Sequence, residues 1–226
     1  MYTNIVQPYI DGIIQSGSLS WIQNIVQGKK ELERLLVDAD EWILNIDTKW
    51  RSHPDPFTVP KAEWRNHPAT IDLYCLGIVK ADSIRSLRDL RAEHIPMLQE
   101  MVSLGRKTIW QVYGVPGDQL RIFVHYQPQF YHFHVHFTRL ENEIGAQCER
   151  GHLLHDIIQN LNIASDYYAN RSICYKLNRK DRLYKFMMEK RSSDEKHDVV
   201  VEASQESIAR TQKSSPRKKK ARLSDV

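Results

Sequence analysis

Three histidines, His132, His134 and His136, stand at alternate positions, with Phe133, Val135 and Phe137 filling the frame between and after them. Residues two apart in a strand share a face. The run therefore presents three imidazoles on one side and Phe-Val-Phe on the other. The apolar side has to be the core side, and the imidazole side then looks into a cleft or toward solvent. Imidazole titrates near neutral pH and, as a neutral base, can attack phosphorus to form a phosphoramidate. One histidine of such a row can attack while its neighbours hold the non-bridging oxygens and stabilise the developing charge. Two displacements then replace one: a nucleotide moves onto histidine, and water removes it. No metal is required if the protein supplies the cations. A lone His-x-His pair is more often a surface or structural feature, and a third histidine at the same period shifts the balance toward chemistry. The other chemistry open to the row is zinc binding, which needs a further ligand from elsewhere, and His125 is placed to be one.

Such a row has to be carried on a sheet, and the flanking sequence supplies one. Strands are predicted over 41–46, 71–80, 120–126 and 131–140, with a possible last strand over 173–177. The connection at 127–129 makes the third and fourth of these a hairpin, which brings His125 near the histidine row. Helices are predicted over 19–36, 92–113 and 152–161. Pro96 is tolerable only in the first turn of its helix, and Gly114 followed by residues 116–118 ends that helix. The fold class is α+β, an antiparallel sheet with helices packed on it. Three regions are expected: 1–65, which holds four of the five tryptophans; 66–190, the catalytic core; and 191–226, a tail without aromatic residues that is read as disordered.

Composition narrows the function classes. Of the net charge of +4, most lies in the tail, whose nine Lys/Arg outnumber six Asp/Glu. The body is therefore no polycation of the kind that binds long nucleic acid through many phosphates; a small anionic ligand held by a few placed cations fits better. No apolar run reaches bilayer length, so no membrane partner is expected. Three widely spaced cysteines, Cys75, Cys148 and Cys174, offer neither a disulfide framework nor a zinc knuckle.

The stretch from Tyr131 to Thr138 resembles the histidine-triad signature, in which three histidines alternate with apolar residues. The segments beginning at Ile84, Glu93, Gly117 and His125 resemble the scavenger mRNA decapping enzymes, a divergent triad branch, and the likeness runs from about residue 21 to about residue 185. The resemblance implies hydrolysis of the cap dinucleotide m7GpppN, or of short capped RNA, to m7GMP and a nucleoside diphosphate product, without a cofactor or metal. It implies His134 as nucleophile, with His132, His136 and His125 on the phosphates. It also implies a base site in which Trp21 stacks on the methylated guanine and Glu31 accepts from its Watson–Crick edge. The Asp47, Lys49 and Trp50 motif adds further contacts, and Gln129, just before the triad, is counted with the substrate-binding residues. An indole face attracts the cationic base, so these roles are physically sound; the bland readings are that Trp21 anchors an amphipathic helix and Glu31 lies on its solvated face.

The family commonly has Ser-Tyr where this chain has Gln129 and Phe130, so a hydroxyl contact to phosphate is lost. The chain is also expected to lack the family's long amino-terminal domain, which helps dimerise and closes over the cap. Weaker catalysis or lower cap selectivity follows from the missing closure. A homodimer through the triad core is expected. Residues 216–222 resemble a nuclear import signal that an import receptor would read, giving a cytoplasmic and nuclear location. Two other functions are carried alongside: a catalytically weak cap-binding or interaction protein, and a broader triad hydrolase of dinucleoside polyphosphates.

Overall fold

A computed structural model describes residues 1–143 and 149–192 of the chain. The basic segment 216–222, most of the expected tail and Cys148 lie outside the described residues. The chain divides into two units, Ile10–Lys176 and a smaller one made of Met1–Tyr9 with Leu177–Val226. In the smaller unit Val6 and Leu183 are buried, and the ring of Tyr9 packs against that of Phe186 at 5.3 Å.

The larger unit is built on six antiparallel strands, β1 (Leu35–Asp38), β2 (Trp42–Ile46), β3 (Tyr74–Val79), β4 (Leu120–His125), β5 (His134–Arg139) and β6 (Gly151–Leu153). Their order in the sheet is β1-β2-β3-β5-β4-β6. The α+β antiparallel class read from the sequence is the class observed. The histidine strand β5 is interior, with β3 on one side and β4 on the other, and the first 65 residues contribute two strands to the same sheet. β2 and β3 are buried on both faces, which is why they read as nearly continuous apolar runs rather than alternating ones.

Helix α3 (Ile95–Tyr113) covers the face opposite the histidines. Pro96 sits in its first turn, and Gly114, at φ 73°, ends it by donating to the carbonyl of Trp110. Its contact with the sheet is close at Gly105, where a Cβ would lie 2.6 Å from the ring of Phe137. Gly77 on β3 leaves room for the same ring. Helix α4 (Leu154–Ile163) buries Leu154, Ile157, Ile158 and Leu161 in the same core. Among the described residues no helix is long and apolar enough to cross a membrane.

Four sequence expectations are corrected. The helix over 19–36 is instead α2 (Ser20–Val26), a turn, and strand β1. Gly28, at φ 65°, stops the helix: its N–H reaches the carbonyl of Ile25 and that of Lys29 reaches Asn24, closing the last turn in a left-handed cap. Leu35 and Leu36, read as the end of the helix, instead open β1, which pairs with β2. The strand over 131–140 begins only at His134. Residues 173–177 form no strand; the sheet edge beside β4 is taken by β6, at residues assigned to the start of the following helix.

Candidate functional site

The register sets the site. His134 lies opposite Ile78 on β3, and His136 lies between Leu76 on β3 and Phe123 on β4. Strand alternation puts His125 on the face of Phe123. The imidazoles of His125 and His136 come within 4.4 Å, and those of His134 and His136 within 4.9 Å, centre to centre. The hairpin expected from the sequence thus brings His125 to the row.

Of the two surroundings expected for the row, a cleft or solvent, open solvent is corrected, and so is the membership of His132 in the row. The imidazoles of His134 and His136 are not on the surface: their residues are 4% and 1% exposed. Phe130 stacks on His134 at 4.0 Å, and Phe123 stacks on His136 at 4.9 Å. His132, in turn, is held apart from the other three. Its Nε2 is 2.7 Å from the carbonyl oxygen of Val79 and its Nδ1 is 3.7 Å from the carboxylate of Asp82. It lines a different cavity, with Leu19, Gln23 and Tyr131. The cause is local: its neighbour Phe133 exchanges backbone hydrogen bonds with Ile84 and Val79, outside the strand ladder.

His132 still contributes through its backbone. The Nδ1 of His134 is 2.8 Å from the carbonyl oxygen of His132. A carbonyl can only accept, so Nδ1 carries the proton and Nε2 is left with its lone pair. Burial pushes the His134 imidazole down to about 3, and the charges of His125, Lys49 and His132 push the same way. It is therefore neutral across the physiological range. His136 is held well below the usual range, again by burial first and then by its histidine neighbours. Its Nδ1 is 2.9 Å from the hydroxyl of Tyr74, while its Nε2 is buried without a partner among the described residues. Burial and Asp47 raise the Tyr74 phenol, so it stays protonated and able to donate to Nδ1, with Nε2–H then free to donate onward.

A cavity of about 170 Å³ adjoins this cluster. Trp21, Glu31, Asp47, Lys49 and Gln129 all line it, and Phe130 forms the wall toward His134. Phe130 meets Trp21 edge to face at 5.2 Å, so one ring links the tryptophan to the histidine. Lys49 is 3.7 Å from the Asp47 carboxylate and 5.2 Å from the centre of the Tyr74 ring. Asp47 turns the loop by accepting from the Lys49 N–H at 2.7 Å. Glu31 sits at φ 59°, a left-handed conformation uncommon for a residue with a Cβ. Trp50 is not part of this cavity: it is 3% exposed and its indole N–H donates to the Ala69 carbonyl, so it anchors the motif in the core. Among the described residues no three His, Cys, Asp or Glu side chains group as a metal site requires.

Two residues at this site escaped the sequence reading. Tyr74 pairs across the ladder with Thr138, two residues beyond His136 and on the same face. Asn45 lies opposite Leu76 and is the single polar residue in an otherwise apolar buried strand. That oddity was visible in the sequence; the register that points each of them at the site was not.

Residues 20–151 match the family described as scavenger mRNA decapping enzyme C-terminal binding. The chain belongs to that family. Within the scavenger decapping family, the m7GpppX diphosphatase of Homo sapiens is 36% identical over 197 residues, covering 85% of this chain and 53% of that one. The m7GpppX diphosphatase of Ascaris suum is 30% identical over 185 residues, covering 81% and 57%. The chain thus spans about half the length of the curated relatives it matches. Among solved structures, a HIT family hydrolase from Legionella pneumophila Philadelphia 1 superposes with a TM-score of 0.37 at 16% identity, over 52% of this chain and 88% of that one.

Proposed function

We propose that this chain hydrolyses m7GpppN, or short capped RNA, to m7GMP and a nucleoside diphosphate product through a nucleotidyl adduct on His134. The observation that carries the reading is the join between the two halves of the site: Trp21, Glu31, Asp47, Lys49 and Gln129 line one cavity, and its Phe130 wall is stacked on His134, whose tautomer leaves Nε2 a free base. Membership of the scavenger decapping family and the m7GpppX diphosphatase relatives support the substrate.

The chemistry follows from the geometry. Trp21 stacks on the cationic methylguanine, worth about 1–2 kcal/mol in a partly desolvated site, and Glu31 accepts from its N–H edge. The His134 Nε2 lone pair attacks the phosphorus next to methylguanosine. A P–N bond forms, and the bond from that phosphorus to the bridging oxygen breaks, its electron pair leaving with the nucleoside diphosphate. Water then attacks the same phosphorus and gives up its proton to solvent, the P–N bond breaks with its electron pair returning to Nε2, and m7GMP is released. Lys49 and the Nε2–H of His136 offset the charge on the non-bridging oxygens, and His125 stands beside His136 on the phosphate side. His132 acts through its carbonyl, fixing the tautomer of His134.

A second reading, binding without turnover, draws on the Phe130 ring, which covers His134 and offers the phosphate no hydroxyl. One experiment separates the two. Incubation with m7GpppG in chelator should release m7GMP, and His134→Asn should abolish the release. Release that survives the substitution removes His134 as nucleophile; binding with no release favours the second reading.

A further inference from the structure

Asn45 is the fourth of the five residues of β2, and the other four are apolar and buried. It is 4% exposed and lines the cavity beside Glu31. Its amide Nδ2 donates to the Glu31 carboxylate at 3.1 Å. The amide cannot be turned over, because that would set a carbonyl oxygen against a carboxylate oxygen, two acceptors with no proton between them. The orientation leaves Oδ1 buried with no hydrogen-bond partner among the described residues. Its sheet neighbours, Leu35 on β1 and Leu76 on β3, have no side-chain donor to give. An orphaned buried acceptor destabilises a fold, and a leucine or isoleucine here would match the rest of the strand. The polar residue stands where a bound base would be read.

We infer that Asn45 is a specificity residue of the base pocket, its Oδ1 accepting from the exocyclic amino group of a guanine whose other edge donors go to Glu31. The inference rests on the cap-hydrolysis reading of the site and sharpens it. Guanine presents three protons along one edge, one on N1 and two on the amino nitrogen. A carboxylate facing that edge takes the N1 proton and the nearer amino proton, and the second amino proton needs another acceptor. Asn45 Oδ1 is that acceptor, and the same residue, through Nδ2, holds the Glu31 carboxylate in place. Hypoxanthine keeps N1–H and lacks the amino group, so it leaves Glu31 with one bond and Asn45 Oδ1 with none; the loss at Asn45 is the part that the Asn45 variants remove. A site built to bond a group rejects the analogue without it far more strongly than it rejects a change in size.

The test is the affinity of the full chain for m7GMP and for 7-methylinosine monophosphate, measured by titration calorimetry in the wild type, Asn45→Leu and Asn45→Ala. The wild type should bind the guanine nucleotide about tenfold or more tightly than the inosine one. Both variants should narrow that ratio by about fivefold or more, chiefly by weakening m7GMP. The comparison is made within each protein, so a general loss of stability cannot imitate it. Equal ratios in wild type and variants overturn the inference. So does a wild type that binds the two nucleotides equally, even if neither variant folds. Failure of the underlying function is a different result: a wild type that binds neither nucleotide and releases no m7GMP from m7GpppG refutes the cap-hydrolase reading and this inference with it.

Discussion

The buried neutral His134 makes the fold itself sensitive to acid, by an amount that can be worked out. Its imidazole sits at about 3 in the folded chain against an ordinary 6.5, chiefly because burial disfavours the charged form. The folded state therefore binds this proton later than the unfolded state does. Stability from this group is fully present above pH 6.5, declines as the pH falls below it, and stops declining near pH 3. The limiting slope is about 1.4 kcal/mol per pH unit for one proton. Between pH 7 and about pH 4.5 the loss amounts to about 2–3 kcal/mol, a large share of the stability of an ordinary domain. His134→Asn removes the titrating group while keeping an amide able to donate to the His132 carbonyl. Urea unfolding of both proteins at the two pH values, followed by circular dichroism, gives the comparison. The stability difference, wild type minus variant, should fall by about 2–3 kcal/mol on acidification. The variant keeps some acid sensitivity, since His136 is shifted in the same direction and His53 is pushed down to about 4, mainly by burial. Parallel stability curves for the two proteins would refute the argument that His134 is buried as the neutral base.

Three further outcomes test other parts of the structure. Phe130→Ala removes the ring stacked on His134 and opens it to water, so the His134 pKa in an NMR titration should rise from about 3 by a unit or more; an unmoved value would mean that Phe130 is not what buries it. Tyr74→Phe deletes the hydroxyl 2.9 Å from the His136 Nδ1 and frees the ring to change tautomer; kcat on m7GpppG should fall about tenfold with KM nearly unchanged, and a loss confined to KM would count against the positioning role. Gly105→Ala puts a Cβ 2.6 Å from the Phe137 ring, and overpacking of this kind costs about 1–3 kcal/mol, a drop in Tm of about 3–10 °C in a thermal melt; an unchanged melt would show that the ring has room to move.

The sequence revealed the chemistry more readily than its boundaries. Period-two alternation around His134 fixed the strand and its core face, because Phe133, Val135 and Phe137 had nowhere else to go. It could not show that Phe130 would fold back over the His134 imidazole, since that depends on a loop and not on a repeat. The helix read through residue 36 failed where Gly28 adopts a left-handed cap; the glycine was a stop signal, overridden by an apolar spacing that fits a helix until Leu35 and a strand after it. Strand β6 is three residues long, too short to carry a period. At the candidate site, the positions of Trp21, Glu31 and Lys49 came from resemblance, and the structure gathers them at one cavity. Trp50 belonged to the same motif, yet only the fold distinguishes an anchor bonded to Ala69 from a residue facing the ligand. Tyr74 and Asn45 were hidden because pairing register is a property of the assembled sheet.

The position of β5 has a consequence for how the molecule breathes. The strand is flanked on both sides, so the backbone amides of His134–Arg139 should exchange with solvent deuterium only when the whole domain opens. Trp21 and Glu31 are carried differently, on the seven-residue helix α2 and on a strained turn beyond it, and such segments open locally at much lower free energy. The histidines of β5 and the cavity residues Trp21 and Glu31 therefore belong to different tiers of local stability. Under the proposed cap-hydrolase reading, fluctuation of the outer tier would admit and discharge the nucleotide while the imidazoles keep their alignment from one turnover to the next.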